Sequence, residues 1–303
     1  MQAWDPGRLS RRSRAAAMAR LVRIEHTLFS LPFAYAGAVL ACLRCLDARV
    51  AVLIGLAVLG LRTAAMAFNN IADLDIDRLN PRTRGRPLVT GAVRAGDAWL
   101  LVALGSLLYY ASAALLNRYA LLLSPVLWLL AMTYPYAKRL HWLPHLHLGL
   151  VLGFVVFGGA VAAAGERAAG LAEVLERVPW LYVAAVSLWV AGFDMYYSIL
   201  DEEFDRSHGL GSVAARLGTR GALHAALATH AASAVLLAAS IPAYRLGPVA
   251  AAGVAAAVAL LAYQHLLLRR GGVAEIPRAF NTNLVLGLVV GLAVVVDRLL
   301  FPG

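Results

Sequence analysis

Apolar residues run along this chain in long blocks, and polar residues collect between the blocks. Each block is close to the roughly 20 residues a helix needs to cross a hydrocarbon core. The blocks fall at about 27–45, 50–73, 98–116, 119–136, 146–165, 180–203, 221–241, 246–267 and 280–300, and they predict nine membrane-spanning helices. Lipid cannot satisfy a backbone N–H or C=O, so each segment must satisfy its own, and an all-α polytopic membrane protein is expected. The first block follows an arginine-rich stretch. It is nevertheless too long for the apolar core of a signal peptide, and a second block comes directly after it. The chain thus divides into a basic arm, 1–24, and one transmembrane domain, 25–303.

Composition narrows the class. Of 303 residues 61% are hydrophobic and 15% charged, whereas a soluble domain has about 45–50% apolar and about 25% charged residues. Soluble folds, disorder and collagen-like repeats are excluded. The two cysteines, Cys42 and Cys45, sit in an apolar setting and read as helix-packing residues rather than a staple or a zinc site. Net charge is +10, and Lys138 is the single lysine among 27 basic residues. The positive charges lie between apolar blocks, which fits lipid headgroups and not nucleic acid. Loops after the even-numbered blocks carry thirteen Lys and Arg against seven after the odd-numbered ones. By the positive-inside rule the N-terminus and the even-block loops are cytoplasmic, with the plasma membrane as the expected location. Trp128, Trp142, Trp180 and Tyr182 lie near block ends, as interfacial aromatics do.

A charge inside a span costs at least a few kcal/mol, so the informative residues are the ionisable ones. They gather at two places. Asn69, Asp73 and Asp77 end the second block, and Tyr197, Asp201 and Asp205 end the sixth, each set spaced i, i+4, i+8. On a helix that spacing makes one stripe of oxygen ligands. The offset between the sets is 128 residues throughout (69 to 197, 73 to 201, 77 to 205), the mark of an internal repeat. Like charges four residues apart repel, and hard oxygen ligands suit magnesium bridging to phosphate.

Arg78, Arg82, Arg84 and Arg86 follow the first set in a stretch broken by Pro81, Gly85 and Pro87. Arginine binds phosphate oxygens bidentately, although a positive-inside loop would show the same residues. Tyr134 and Lys138 lie in the loop after the fourth block. Together these features describe a lipid diphosphate site at a membrane face.

The residues resemble the UbiA superfamily of intramembrane prenyltransferases. Its pattern Asn-Asp-x-x-Asp-x-x-x-Asp is matched by Asn69-Asn70-x-x-Asp73-x-x-x-Asp77, and its Asp-x-x-x-Asp by Asp201 and Asp205. The arginine stretch resembles the superfamily's Pro-Arg-Thr-x-x-Arg-Pro-Leu, and Tyr134-x-x-x-Lys138 its Tyr-x-x-x-Lys. His26-Thr27-Leu28-Phe29-Ser30-Leu31-Pro32-Phe33 and Ala191-Gly192-Phe193-Asp194 point to the 4-hydroxybenzoate branch. Asn70 departs from the usual aspartate, and Leu88-Val89-Thr90-Gly91 lacks the usual second proline.

The resemblance implies nine helices around a central cavity that opens sideways to lipid. Mg2+ would be held by Asn69, Asp73, Asp77, Asp201 and Asp205. An isoprenyl diphosphate donor would be bound by Arg82, Arg86, Tyr134, Lys138 and Tyr197, with Asp73, Asp201, Lys138 and Arg86 carrying the chemistry. The acceptor is expected to be aromatic, 4-hydroxybenzoate first, attacked ortho to its hydroxyl. A glycerol-phosphate lipid, a naphthoate or haem are the alternatives, and a transporter is a distant one. Arg62, the basic residue well inside a span, lies seven residues before Asn69, as Asp194 does before Asp201. Seven residues return a helix to within about 20° and some 10 Å along. If the two motif helices ran side by side, Arg62 and Asp194 would meet beneath the metals, either around the acceptor's carboxylate or as a structural ion pair.

Overall fold

The computed structural model describes residues 11–23 and 25–302, and of 11–15 and 25–29 the backbone course alone. The first ten residues of the arm and the side chains of His26 to Phe29 lie outside the described residues. The helices are α1 (Arg11–Val22), α2 (Glu25–Cys42), α3 (Ala48–Ala72), α4 (Leu74–Leu79), α5 (Ala95–Leu116), α6 (Arg118–Leu140), α7 (Pro144–Ala164), α8 (Leu171–Glu176), α9 (Trp180–Tyr197), α10 (Glu202–Ser207), α11 (Val213–Ala243), α12 (Pro248–Gly271) and α13 (Ile276–Leu300). No strand occurs among the described residues. Seven helical stretches are long and apolar enough to cross a membrane; α12 and α13 count as one of them, Pro248–Leu300. Ser30–Cys45 is a shorter apolar helix. Large apolar side chains such as Leu107, Val235 and Leu299 are more than 60% exposed, as expected of a surface solvated by lipid.

Local chemistry explains where the helices start. Asp47 takes the Val50 N–H at the head of α3, Asn117 takes those of Tyr119 and Ala120 at α6, and Ser212 takes that of Ala215 at α11. These are N-cap residues satisfying donors that no intrahelical carbonyl reaches. Asp297, wholly buried on α13, accepts from Gly247, Val249 and Ala250, so one helix caps its neighbour α12. Prolines open α7 and α12.

The 128-residue repeat is visible in the backbone. α3 stops at Asp73 (φ −95°, ψ 4°) and α9 runs through a short 3₁₀ turn to stop at Asp201 (φ −113°, ψ 8°). Each aspartate begins a six-residue helix, α4 at 74–79 and α10 at 202–207, again 128 residues apart. The expected unbroken stripes are therefore each broken at the middle residue, Asp73 or Asp201. The packing repeats as well: α3 lies against α5, and α9 against α11. A Cβ on Gly60 or on Gly105 would lie 2.7 Å from the other's carbonyl oxygen, so only glycine lets α3 and α5 approach this closely. The motif helices α3 and α9 are not extensively packed on each other. α7 packs against both α2 and α9.

Two further expectations are corrected. Cys42 and Cys45 form a disulfide, with Cα atoms 5.3 Å apart, a separation that suits the bond. α2 ends at Cys42 and a 3₁₀ turn follows, whereas the predicted span carried the helix through both residues. Among the block-end aromatics, Trp142 and Trp180 are exposed, but Tyr182 is fully buried and Trp128 donates to Ser106 between helices.

Candidate active site

The ends of α3, α6 and α9, the starts of α4 and α7, and the loop 80–94 enclose a cavity of about 280 Å³. Asn69, Asp73, Asp77, Arg82, Arg86, Tyr134, Lys138, Asp194, Tyr197, Asp201 and Asp205 all line it. Every site residue expected from the sequence is therefore gathered there except Arg62.

Each of three motif carboxylates faces a basic side chain. Lys138 Nζ donates to Asp73 Oδ2 at 2.8 Å, and Arg86 Nη1 to Asp77 Oδ2 at 2.5 Å. Arg82 grips Asp201 with two bonds, Nε to Oδ1 at 2.8 Å and Nη2 to Oδ2, and its guanidinium lies over the Tyr197 ring. This is the fork geometry that makes arginine a bidentate partner. Burial lowers the Arg82 pKa, but the hydrogen bond and charge of Asp201 more than offset it, so the value is raised. Asp73 and Asp77 are buried, which strengthens these pairs through the low local dielectric.

The arginine loop is a folded turn, as Pro81, Gly85 and Pro87 predicted. Asn80 organises it: its Oδ1 accepts from Arg82 N, and its Nδ2 donates to Asp201 Oδ1. One side chain thus ties the first motif's loop to the second motif. Thr83 Oγ1 donates to Asp77 O, and Arg86 N to Thr83 O. Neither Asn80 nor Arg139 was nominated from sequence. Arg139 holds Asp75 with two bonds and donates to Ala72 O at the end of α3, and its hydrogen bond is the main reason the Asp75 carboxyl sits below its usual pKa.

Asn70 explains its own departure from the family pattern. It is buried and donates to Leu21 O on α1 and to Met66 O. A carboxylate would set negative charge against two carbonyl oxygens there. Asn70 does not line the cavity; it helps hold α1 to α3, where Ala17, Leu21, Ala67 and Val93 form a common apolar cluster.

The residues present fit a divalent cation in kind, since they are hard oxygen donors and the buried Asp73 Oδ1 has no hydrogen-bond partner. Their arrangement is looser than the predicted facing stripes, and no group of three or more His, Cys, Asp or Glu is set to ligate a metal among the described residues. Lys138, Arg86 and Arg82 instead bond one oxygen of Asp73, one of Asp77 and both of Asp201.

Arg62 and Asp194 do not meet, so the structural ion pair does not form. Arg62 Nη1 donates to Ser30 Oγ at 3.2 Å, and its buried Nε has no hydrogen-bond partner. It lines a separate apolar cavity of about 80 Å³ with residues such as Leu61, Leu127, Phe154 and Phe157. Met66, one turn further along α3, lines the polar cavity. Asp194 instead bonds His145 Nδ1 at 2.6 Å. The sequence reading missed His145 because a histidine beside a loop proline looks like an interfacial residue; its burial is what sets it apart.

Comparison with known proteins bears on the family and the fold. Residues 30–287 match the UbiA prenyltransferase family. The chain is 34% identical over 242 residues to 4-hydroxybenzoate octaprenyltransferase of Aromatoleum aromaticum, covering 80% of this chain and 79% of that protein. The apo structure of a UbiA homolog from Aeropyrum pernix K1 superposes with TM-score 0.87 at 59% identity, over 91% of this chain and 99% of that one. A UbiA homolog from Archaeoglobus fulgidus, bound to GPP and Mg2+, shares the fold with TM-score 0.68 at 20% identity, over 92% and 99% of the two chains. With its paired aspartate motifs gathered at one end of an apolar helical bundle, the chain is an integral membrane protein of the UbiA prenyltransferase family.

Proposed function

We propose that the protein transfers a prenyl group from an allylic isoprenoid diphosphate to 4-hydroxybenzoate, ortho to the hydroxyl, in a Mg2+-dependent reaction that releases pyrophosphate. The observation that carries this reading is the convergence on one cavity of both carboxylate motifs with Arg82, Arg86 and Lys138. The name of the Aromatoleum relative supports the acceptor.

Asn69, Asp73, Asp77, Asp201 and Asp205 are the residues to hold magnesium, whose charge would offset that of the diphosphate. Arg82, Arg86 and Lys138 are the cations within reach of the leaving phosphate oxygens, and Tyr134 and Tyr197 flank them. As the allylic C–O bond breaks, its electron pair leaves on pyrophosphate, and preorganised cations act on that developing charge. The ring carbon then forms the new C–C bond, and the ring proton passes to the departing pyrophosphate, which restores aromaticity. Apolar walls keep water from the allylic carbon. Asp194 lines this cavity and faces the acceptor, whereas Arg62 opens onto the separate apolar cavity. The fold crosses the plasma membrane nine times, with the arm and the cavity mouth cytoplasmic.

The test is product analysis. Purified protein with Mg2+, geranyl diphosphate and a set of acceptors should yield geranylated 4-hydroxybenzoate by mass spectrometry. Product from a glycerol-phosphate lipid or a naphthoate, and none from 4-hydroxybenzoate, would overturn the acceptor.

A further inference from the structure

Asp194 Oδ2 is taken by His145 Nδ1 at 2.6 Å. The imidazole is 3% exposed, and its other nitrogen, Nε2, receives the Val213 N–H at 3.1 Å. A backbone N–H can only donate, so Nε2 must present its lone pair. The ring proton is therefore on Nδ1, and His145 donates it to the Asp194 carboxylate. Val213 is the first residue of α11, and its N–H is one of the helix-start donors that no intrahelical acceptor reaches. The bond that fixes the tautomer is thus supplied by the fold itself. Asp194 Oδ1 takes no hydrogen bond among the described residues, and Asp194 lines the cavity.

We propose that His145 is a positioning residue for acceptor binding. It holds Asp194 so that Oδ1 accepts a hydrogen bond from the acceptor's phenolic hydroxyl. That bond orients the ring with its ortho carbon toward the donor and pushes electron density onto it. The inference rests on the reaction proposed above and deepens it by naming what sets the acceptor's pose. It draws together the start of α7, the end of α9 and the start of α11.

Two replacements separate this role from packing. Glutamine sets an N–H and a C=O on one carbon, as imidazole sets Nδ1–H and Nε2 on Cε1, so His145→Gln can bond both partners. His145→Leu bonds neither. His145→Leu should lower kcat/KM for 4-hydroxybenzoate about 10²-fold, the cost of a misplaced reacting group, with the donor KM within about twofold. His145→Gln should recover most of that loss. In an Asp194→Asn background, His145→Leu should add little, because the group it positions is already altered. Equal losses in the Gln and Leu variants would overturn the proposal. So would a His145→Leu effect of undiminished size in the Asp194→Asn background, or a donor KM that moves with the acceptor's. Absence of product from the wild-type protein would instead defeat the reading of the reaction, and this inference with it; a productive wild type with a flat His145 series would defeat this inference alone.

Discussion

Asp201→Asn is expected to cut prenyl transfer about 10³-fold, and Asp73→Asn by a similar factor, the scale seen when one preorganised electrostatic contact to a transition state is lost. Asparagine is nearly isosteric, so the change removes charge and leaves shape. Asp201 is the point where the two halves of the site join: Asn80 and Arg82 from the first motif's loop both bond it. Asp73 ends α3 and holds Lys138. Chelation of divalent cations should give a comparable loss in the wild-type protein. The check is turnover at saturating donor and acceptor, with thermal stability in detergent to show that the variants remain folded. Rates within about tenfold of wild type, in a folded variant or with a chelator present, would remove the metal-diphosphate account.

Lys138→Met should slow turnover about 10²-fold, or about 2.7 kcal/mol of barrier, and raise the donor KM while leaving the acceptor KM unchanged. Lys138 is 26% exposed in its side chain and reaches Asp73 from α6, opposite the arginine loop. Its ammonium is therefore placed for the donor's phosphate oxygens, and a neutral side chain also leaves the buried Asp73 without its nearest cation. Lys138→Arg keeps the charge and should recover part of the rate, though guanidinium geometry differs from ammonium. Steady-state kinetics against each substrate in turn decides the matter. A change confined to the acceptor KM would mean that Lys138 serves the other substrate.

The chemistry of the site was legible because ionisable residues are costly inside apolar blocks and so stand out there. Asn69, Asp73, Asp77, Asp201 and Asp205 announced themselves by spacing and by the shared offset, and the cavity contains them all. Arg82, Arg86, Tyr134 and Lys138 were legible as phosphate-binding residue types beside those motifs. What spacing could not convey was how helices pack. Arg62 and Asp194 each lie seven residues before a motif residue, but they are 132 residues apart and so one turn out of register in the 128-residue repeat, where Asp194 matches Met66. α3 packs on α5, and α9 on α11 and α7. The Arg62 and Asp194 side chains reach separate cavities.

The breaks at Asp73 and Asp201 were equally hidden. No glycine or proline marks either one; tertiary hydrogen bonds from Lys138 and Arg82 hold the aspartates where the helices stop. The disulfide at the end of α2 was missed because apolarity was read as helix through Cys45. His145 was missed because its two partners, Asp194 and Val213, lie 49 and 68 residues away. Nothing local signals such a contact.

The central claim is that the two carboxylate motifs act together, through a divalent cation, on one diphosphate. The most direct measurement is calorimetric binding of an uncleavable geranyl diphosphate analogue to the wild-type protein, titrated with magnesium and then with a chelator. The account predicts binding that rises with magnesium, disappears on chelation, and is lost separately in folded Asp73→Asn and Asp201→Asn proteins. Equal affinity with and without magnesium, or binding that survives loss of either aspartate, would contradict it.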